Sequence, residues 1–198
     1  MIIYLASGNE HKKEEFTRIF SNHSIVLPHE AGIAFDPEET GNTFLDNALI
    51  KARALYSCVH MPVIADDSGL CVDALDGRPG IYSARYGSVN GTVLSAAEKN
   101  ERILQEMRGK KQRSCRFVCC LVLLLAEDRF YCVQETFEGQ ITEQAQGMHG
   151  FGYDPIVYIP SLQKTVAQLM SEEKNQFSHR GKAGRRLASL LELNLDMV

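Results

Sequence analysis

An apolar run, Met61 to Ala65, stops abruptly at two acids, a hydroxyl and a glycine: Asp66, Asp67, Ser68 and Gly69. Apolar residues resume at Leu70, and Gly80-Ile81-Tyr82-Ser83-Ala84-Arg85-Tyr86 follows shortly after. A short apolar run bounded in this way reads as a buried strand, so the chain must build a sheet with a covered core. It also delivers two carboxylates to the strand's end. Paired aspartates held rigidly suit a hard divalent cation such as Mg2+, which prefers oxygen ligands and bridges to substrate phosphates. The same residues equally describe a strand capped by an Asx turn.

The flanking segments alternate strand and helix signals. Ile2 to Ala6 reads as a first buried strand, Ser7-Gly8-Asn9 as a turn, and Glu10 to Phe20 as a helix with Phe16, Ile19 and Phe20 at helical spacing. Ser24 to Leu27 is a short strand, and Gly32 to Gly41 an acidic, turn-rich stretch. Thr43 followed by Asp46 is a capping box that opens a helix to Val59. On it Asn47 and Lys51 are four apart and share a face. Ser95 and Glu98 form a second capping box for a helix to Met107. Cys115 to Ala126 and Arg129 to Phe137 read as two strands joined at Glu127-Asp128, and Gly181 to Leu193 as a terminal helix. Strands and helices in both orders, with a hairpin in the second half, predict a mixed α/β sheet.

The chain has 198 residues, which predicts a single domain spanning 1–198. A net charge of -4 argues against a broad nucleic-acid or anionic-membrane surface, while allowing a local basic pocket. The first apolar run is too short for a signal peptide, and Phe117 to Ala126 is too short to span a bilayer. A cytoplasmic location is expected. Six cysteines, none in a C-x2-C pair, read as reduced thiols lying mostly in the core. With no tryptophan, any base-stacking ring must come from Phe, Tyr or His.

Four constellations carry candidate chemistry. Ser7-Gly8-Asn9-Glu10-His11-Lys12 places backbone N–H groups and a lysine at a strand-to-helix turn, an anion site or an ordinary N-cap. It is not a Walker A loop. Glu38-Glu39-Thr40-Gly41, with Asn47 and Lys51 beyond, either completes a metal site or is a solvated acidic loop. Gly150-Phe151-Gly152-Tyr153-Asp154-Pro155 brackets an aromatic with glycines, which suits close approach to a flat ligand or a strand-entry bulge. Glu173-Lys174-Asn175 and Ser178-His179-Arg180-Gly181 set cations before an amphipathic helix, where they oppose the helix dipole unless an anion or carbonyl lies there. Together these supply carboxylates for a metal, lysines for phosphates, and rings and donors for a base. That is the inventory of a nucleoside triphosphate site.

These segments, in this order and spacing, resemble the inosine triphosphate pyrophosphatase family, the non-canonical purine nucleoside triphosphate pyrophosphatases, over nearly the whole length. The resemblance implies an elongated mixed sheet flanked by helices, two lobes with a central substrate cleft, and a homodimer. It implies Mg2+-dependent hydrolysis of ITP, dITP or XTP to the monophosphate and pyrophosphate. Carried over, Asp67 is the general base or metal-organising acid and Glu38 the second metal ligand, with Glu39 and Asp66 in support. Ser7, Gly8, Asn9 and Lys12, with Glu10 and His11 between, match the phosphate loop; Lys51, Ser68 and Lys174 match further substrate contacts. Phe151, Gly152, Tyr153 and Asp154 match the base pocket, and His179 and Arg180 the readers of the purine edge. Arg180 only donates hydrogen bonds, which favours a 6-oxo purine over adenine. The chain departs from the family pattern at Gln168, where an acid is frequent, and at Met148-His149, where small residues are commoner.

Two other readings compete. A pyrophosphatase like the Maf group would carry an arginine-rich N-terminal signature, which this chain lacks. A nucleotide sensor without turnover would have lost an acid near the metal, yet Glu38, Asp66 and Asp67 are all present.

Overall fold

A computed structural model describes residues 1–88 and 92–195. Seven strands form one sheet in the order β2-β1-β3-β4-β5-β6-β7. They are β1 (Ile2–Leu5), β2 (Ser24–Val26), β3 (Val63–Val72), β4 (Ser114–Ala126), β5 (Arg129–Ile141), β6 (Val157–Ile159) and β7 (Lys164–Thr165). β1 runs parallel to β2 and β3, with Leu5 opposite Ile64, whereas β6 is antiparallel to β5 and β7. The sheet is therefore mixed, as the order of elements predicts. Among the described residues five α-helices accompany it: α1 (Glu10–Ile19), α2 (Phe44–Val59), α3 (Ala96–Glu106), α4 (Ser171–Phe177) and α5 (His179–Leu195).

The chain divides into two compact units. The first comprises 1–67, 119–135 and 180–198, of which 196–198 lie outside the described residues. Strand alternation gives it two apolar layers. Ile3, Leu5, Ile64, Leu121 and Leu123 pack with Phe16 of α1, Phe20 just past its end, and Leu187 of α5. Ala6, Val63, Ala65, Val122 and Leu124 pack with Ala48, Ala52 and Leu55 of α2. Each large side chain buried in these layers contributes roughly 1.5–3 kcal/mol. β4 is buried on both sides, which is why its sequence is a continuous apolar run rather than an alternating one. The second unit, 68–118 and 136–179, has its own core of Leu70, Val72, Ile103, Met107, Phe117, Phe137, Tyr153 and Ile156.

Local signals place the helix starts. Asn9 caps α1, its side chain accepting from the Lys12 N–H at 3.2 Å. The expected boxes Thr43/Asp46 and Ser95/Glu98 open α2 and α3. One expectation fails: β3 does not end at the acids. It continues through Asp66, Asp67, Ser68 and Gly69 to Val72, all but Ser68 buried. Strand pairing survives there because both carboxylates find cations, and no Asx turn forms. α5 begins at His179 rather than Gly181, and α4 precedes it where only a basic helix start is expected. Among the described residues no helix is long and apolar enough to cross a membrane.

Candidate active site

The alternation that builds the two layers of the first unit also separates Asp66 from Asp67. Asp66 follows Ile64 and points to the layer of α1 and α5; Asp67 follows Val63 and Ala65 and points to α2. Adjacent acids thus enter different environments.

Asp66 is 1% exposed and heavily bonded. Its Oδ2 accepts from Arg180 Nε at 2.7 Å and lies 3.2 Å from Lys12 Nζ, and its Oδ1 accepts from the Cys119 thiol at 3.5 Å. Lys12 also donates to the Asp66 carbonyl at 3.3 Å. Arg180, equally buried, donates through Nη1 to Glu15 Oε2 at 2.7 Å. Burial works against the guanidinium charge, but Asp66 and Glu15 outweigh it and hold Arg180 firmly protonated. Burial pulls the Lys12 ammonium below its usual range, more than Asp66 restores.

Asp67 meets Lys51, whose Nζ donates at 2.7 Å to Asp67 Oδ1 and at 2.7 Å to Glu39 Oε1. Two carboxylates thus share one ammonium. Burial would lower the Lys51 pKa, but the two carboxylates raise it above the ordinary value. Burial raises Asp67 further than Lys51 lowers it, so the more deeply placed acid bears the cost of the imbalance. Asp67 Oδ2 is buried with no hydrogen-bond partner. An unpaired buried carboxylate oxygen is costly, and a cation or a proton relieves it.

That oxygen is the structural reason to place a divalent cation here. Among the described residues no three His, Cys, Asp or Glu side chains converge as a ready-made cage. The structure brings Glu39, not Glu38, to the Lys51–Asp67 pair. Glu38 is exposed, because residues of this extended stretch alternate inward and outward.

The phosphate-loop residues gather at the start of α1. Ser7 Oγ accepts from the Asn9 N–H at 3.1 Å, which fixes the turn, and Gly8 is exposed with open space where a side chain would be. Glu10 and His11 are exposed, while Lys12 turns inward to Asp66.

The second unit assembles the aromatic segment. Asp154, 3% exposed, accepts from the Phe151 N–H and from Lys174 Nζ, both at 2.8 Å. Lys174 Nζ also sits 4.2 Å from the centre of the Phe151 ring, a cation–π contact. The loop needs its glycine: at Gly150 φ is +75°, and a Cβ would fall 2.1 Å from Asp154 Oδ2. Tyr153 is buried and donates to the Ser83 carbonyl at 2.8 Å, and burial pushes its hydroxyl pKa upward. His179 stacks on Phe117 with ring centres 5.0 Å apart. Ser68, beside Asp67 in sequence, is half-buried. A cavity of about 540 Å3 lies between α3 and the 143–155 segment, lined by Asn100, Leu104, Met148, Gly150 and Phe151 among others.

Sequence reasoning missed one participant, Cys119, which lies in a continuous apolar run and donates its thiol to Asp66. Glu15, which follows the phosphate-loop segment, accepts from Arg180, and Asn47, on the Lys51 face of α2, accepts from the acidic loop at Gly41.

Known proteins resemble this chain over nearly its whole length. A model of the Ham1 family matches residues 3–190. A dITP/XTP pyrophosphatase of Treponema denticola is 59% identical over 183 residues, covering 92% of this chain and 94% of its own. One from Bacillus subtilis is 42% identical over 192 residues, covering 95% and 96%. Among solved structures, the Ham1 protein of Staphylococcus aureus superimposes with a TM-score of 0.87 at 40% identity, over 98% of this chain and 100% of that one. With a family model spanning nearly its whole length and relatives of this identity, the chain belongs to the Ham1 family.

Proposed function

We propose that this protein is a Mg2+-dependent pyrophosphatase that hydrolyses dITP, ITP and XTP to the nucleoside monophosphate and pyrophosphate, and so removes deaminated purines from the nucleotide pool. The observation that carries the reading is Asp67. Lys51 fixes one of its oxygens at 2.7 Å, and the other is buried without a partner. The names borne by the relatives, dITP/XTP pyrophosphatase, support the substrate class.

In this reading Asp67 and the neighbouring glutamates, Glu39 and Glu38, hold the cation. When bound, Mg2+ neutralises charge on the triphosphate and on the departing pyrophosphate. Asp67 takes a proton from the water that attacks the α-phosphorus. The bond from the α-phosphorus to the α,β-bridging oxygen breaks, and pyrophosphate leaves with that oxygen. Lys51 keeps Asp67 oriented. The turn from Ser7 to Lys12 offers N–H groups and a cation to phosphate oxygens. Phe151 supplies a ring for the purine, and Asp154 and Lys174 hold that segment in place. His179 and Arg180 donate toward the 6-oxo group, which adenine lacks. The protein acts as a cytoplasmic homodimer in this reading.

The test is pyrophosphate release from ITP, dITP, XTP, GTP and ATP, with Mg2+ and with EDTA. Release from the first three, only with metal, is expected. Tight ITP binding without turnover would replace the reading with that of a sensor. Equal turnover of all five would leave the reaction class standing and remove the specificity.

A further inference from the structure

The acidic loop is held in place by a device that neither the family resemblance nor the chemistry of the carboxylates explains. Asn47, in the second turn of α2, is fully buried. Its Oδ1 accepts from the Gly41 N–H at 2.9 Å, and its Nδ2 makes no hydrogen bond. The whole hydrogen-bonding work of this buried amide is therefore the contact to Gly41. Asparagine is a poor helix former and an unsatisfied buried N–H carries a penalty, so the residue costs α2 stability on both counts.

Gly41 is shaped to receive that contact. A Cβ there would lie 2.5 Å from Asp46 Cβ, 2.6 Å from Asn47 Oδ1 and 2.9 Å from the Asn47 N. The loop backbone thus presses directly on the helix. Two residues earlier, Glu39 reaches Lys51, one helical turn beyond Asn47. The contacts close a ring: Glu39 to Gly41 along the chain, Gly41 to Asn47 by hydrogen bond, Asn47 to Lys51 along the helix, and Lys51 back to Glu39. Asp67 joins the ring at Lys51.

We infer that Asn47 is the positioning residue of this carboxylate site. By latching Gly41 it sets the backbone that presents Glu39 beside Lys51 and Asp67, without touching the substrate itself. This rests on the reading of those acids as the metal-holding groups.

The experiment compares Asn47→Ala, Gly41→Ala, the double variant and Asn47→Asp, which keeps the acceptor for the Gly41 N–H. Two measurements are made on the full chain: the Mg2+ concentration giving half-maximal pyrophosphate release, and amide hydrogen exchange of residues 36–41 without nucleotide. Loss of the latch should raise the Mg2+ requirement roughly tenfold in either single variant and speed exchange in that segment. The double variant should be no worse than the poorer single one, because both break one contact. Asn47→Asp should retain near-wild-type exchange. Unchanged exchange in Asn47→Ala, or additive shifts in the double variant, would overturn the inference. Wild-type protein that releases no pyrophosphate would instead sink the functional reading, and exchange would still decide the latch.

Discussion

Arg180 Nε lies 2.7 Å from Asp66 Oδ2, although 114 residues separate them, and both side chains are almost wholly buried. With Glu15 on its other arm, Arg180 ties α5 and α1 to β3. Removing it would take a buried guanidinium from two buried carboxylates, leaving Lys12 beside Asp66. Arg180→Ala should therefore lose about 3–5 kcal/mol of stability in urea denaturation. Arg180→Lys should recover only part, since an ammonium cannot reproduce the two-armed geometry. A loss under 1 kcal/mol would mean the contacts are structurally idle. Should the ITP to ATP ratio stay fixed in a folded Arg180→Lys protein, the guanidinium does not read the base.

Asp67 presents the opposite case, a carboxylate whose second oxygen has no partner. Asp67→Asn preserves size and leaves an oxygen to accept from Lys51. Turnover should fall roughly 10²–10⁴-fold, the range of general-base contributions, while the melting temperature changes little. Near-wild-type turnover would remove Asp67 from the mechanism.

How much of this was legible beforehand depends on how far apart the partners are in sequence. The caps Asn9, Thr43 and Ser95 answer to residues three positions on, and they could be read directly. The fate of β3 could not. Whether a strand continues through Asp66 and Asp67 turns on Lys12, Lys51 and Arg180, which arrive from three different helices. The choice between Glu38 and Glu39 is also non-local. An extended segment shows its two faces alternately, and contacts with α2 from Ile33, Phe35, Glu39 and Gly41 set which glutamate turns inward.

Gly150 tests the aromatic segment of the second unit. Its φ of +75° and the 2.1 Å approach of a notional Cβ to Asp154 Oδ2 leave no room for alanine. Gly150→Ala should displace Asp154 from the Phe151 N–H and from Lys174. The cost in stability should be about 1–3 kcal/mol, with a raised KM for ITP and a smaller change in kcat. An unaltered KM would separate this segment from substrate binding.

The thiols give a pH prediction with a definite sign. Cys71, Cys115, Cys119 and Cys120 are buried, while Cys58 and Cys132 are exposed. Burial pushes the Cys115 thiol up to about 12 and also raises Cys71 and Cys120. In the unfolded chain these thiols lose their protons near pH 9, while the native state keeps them. The native state then binds more protons, so stability falls as pH rises from about 9 toward 12. Lys51, also raised, adds to the fall, and Lys12, lowered, opposes it. Urea midpoints at pH 8, 9 and 10 should decline in turn, and Cys115→Ala should flatten the slope even though it lowers the absolute stability. In the native protein at pH 8, iodoacetamide should label Cys58 and Cys132 and spare the buried four, all six reacting once the chain is unfolded. Rapid native labelling of Cys115 would show that its surroundings open far more readily than a packed core allows, and its share of the alkaline slope would be lost.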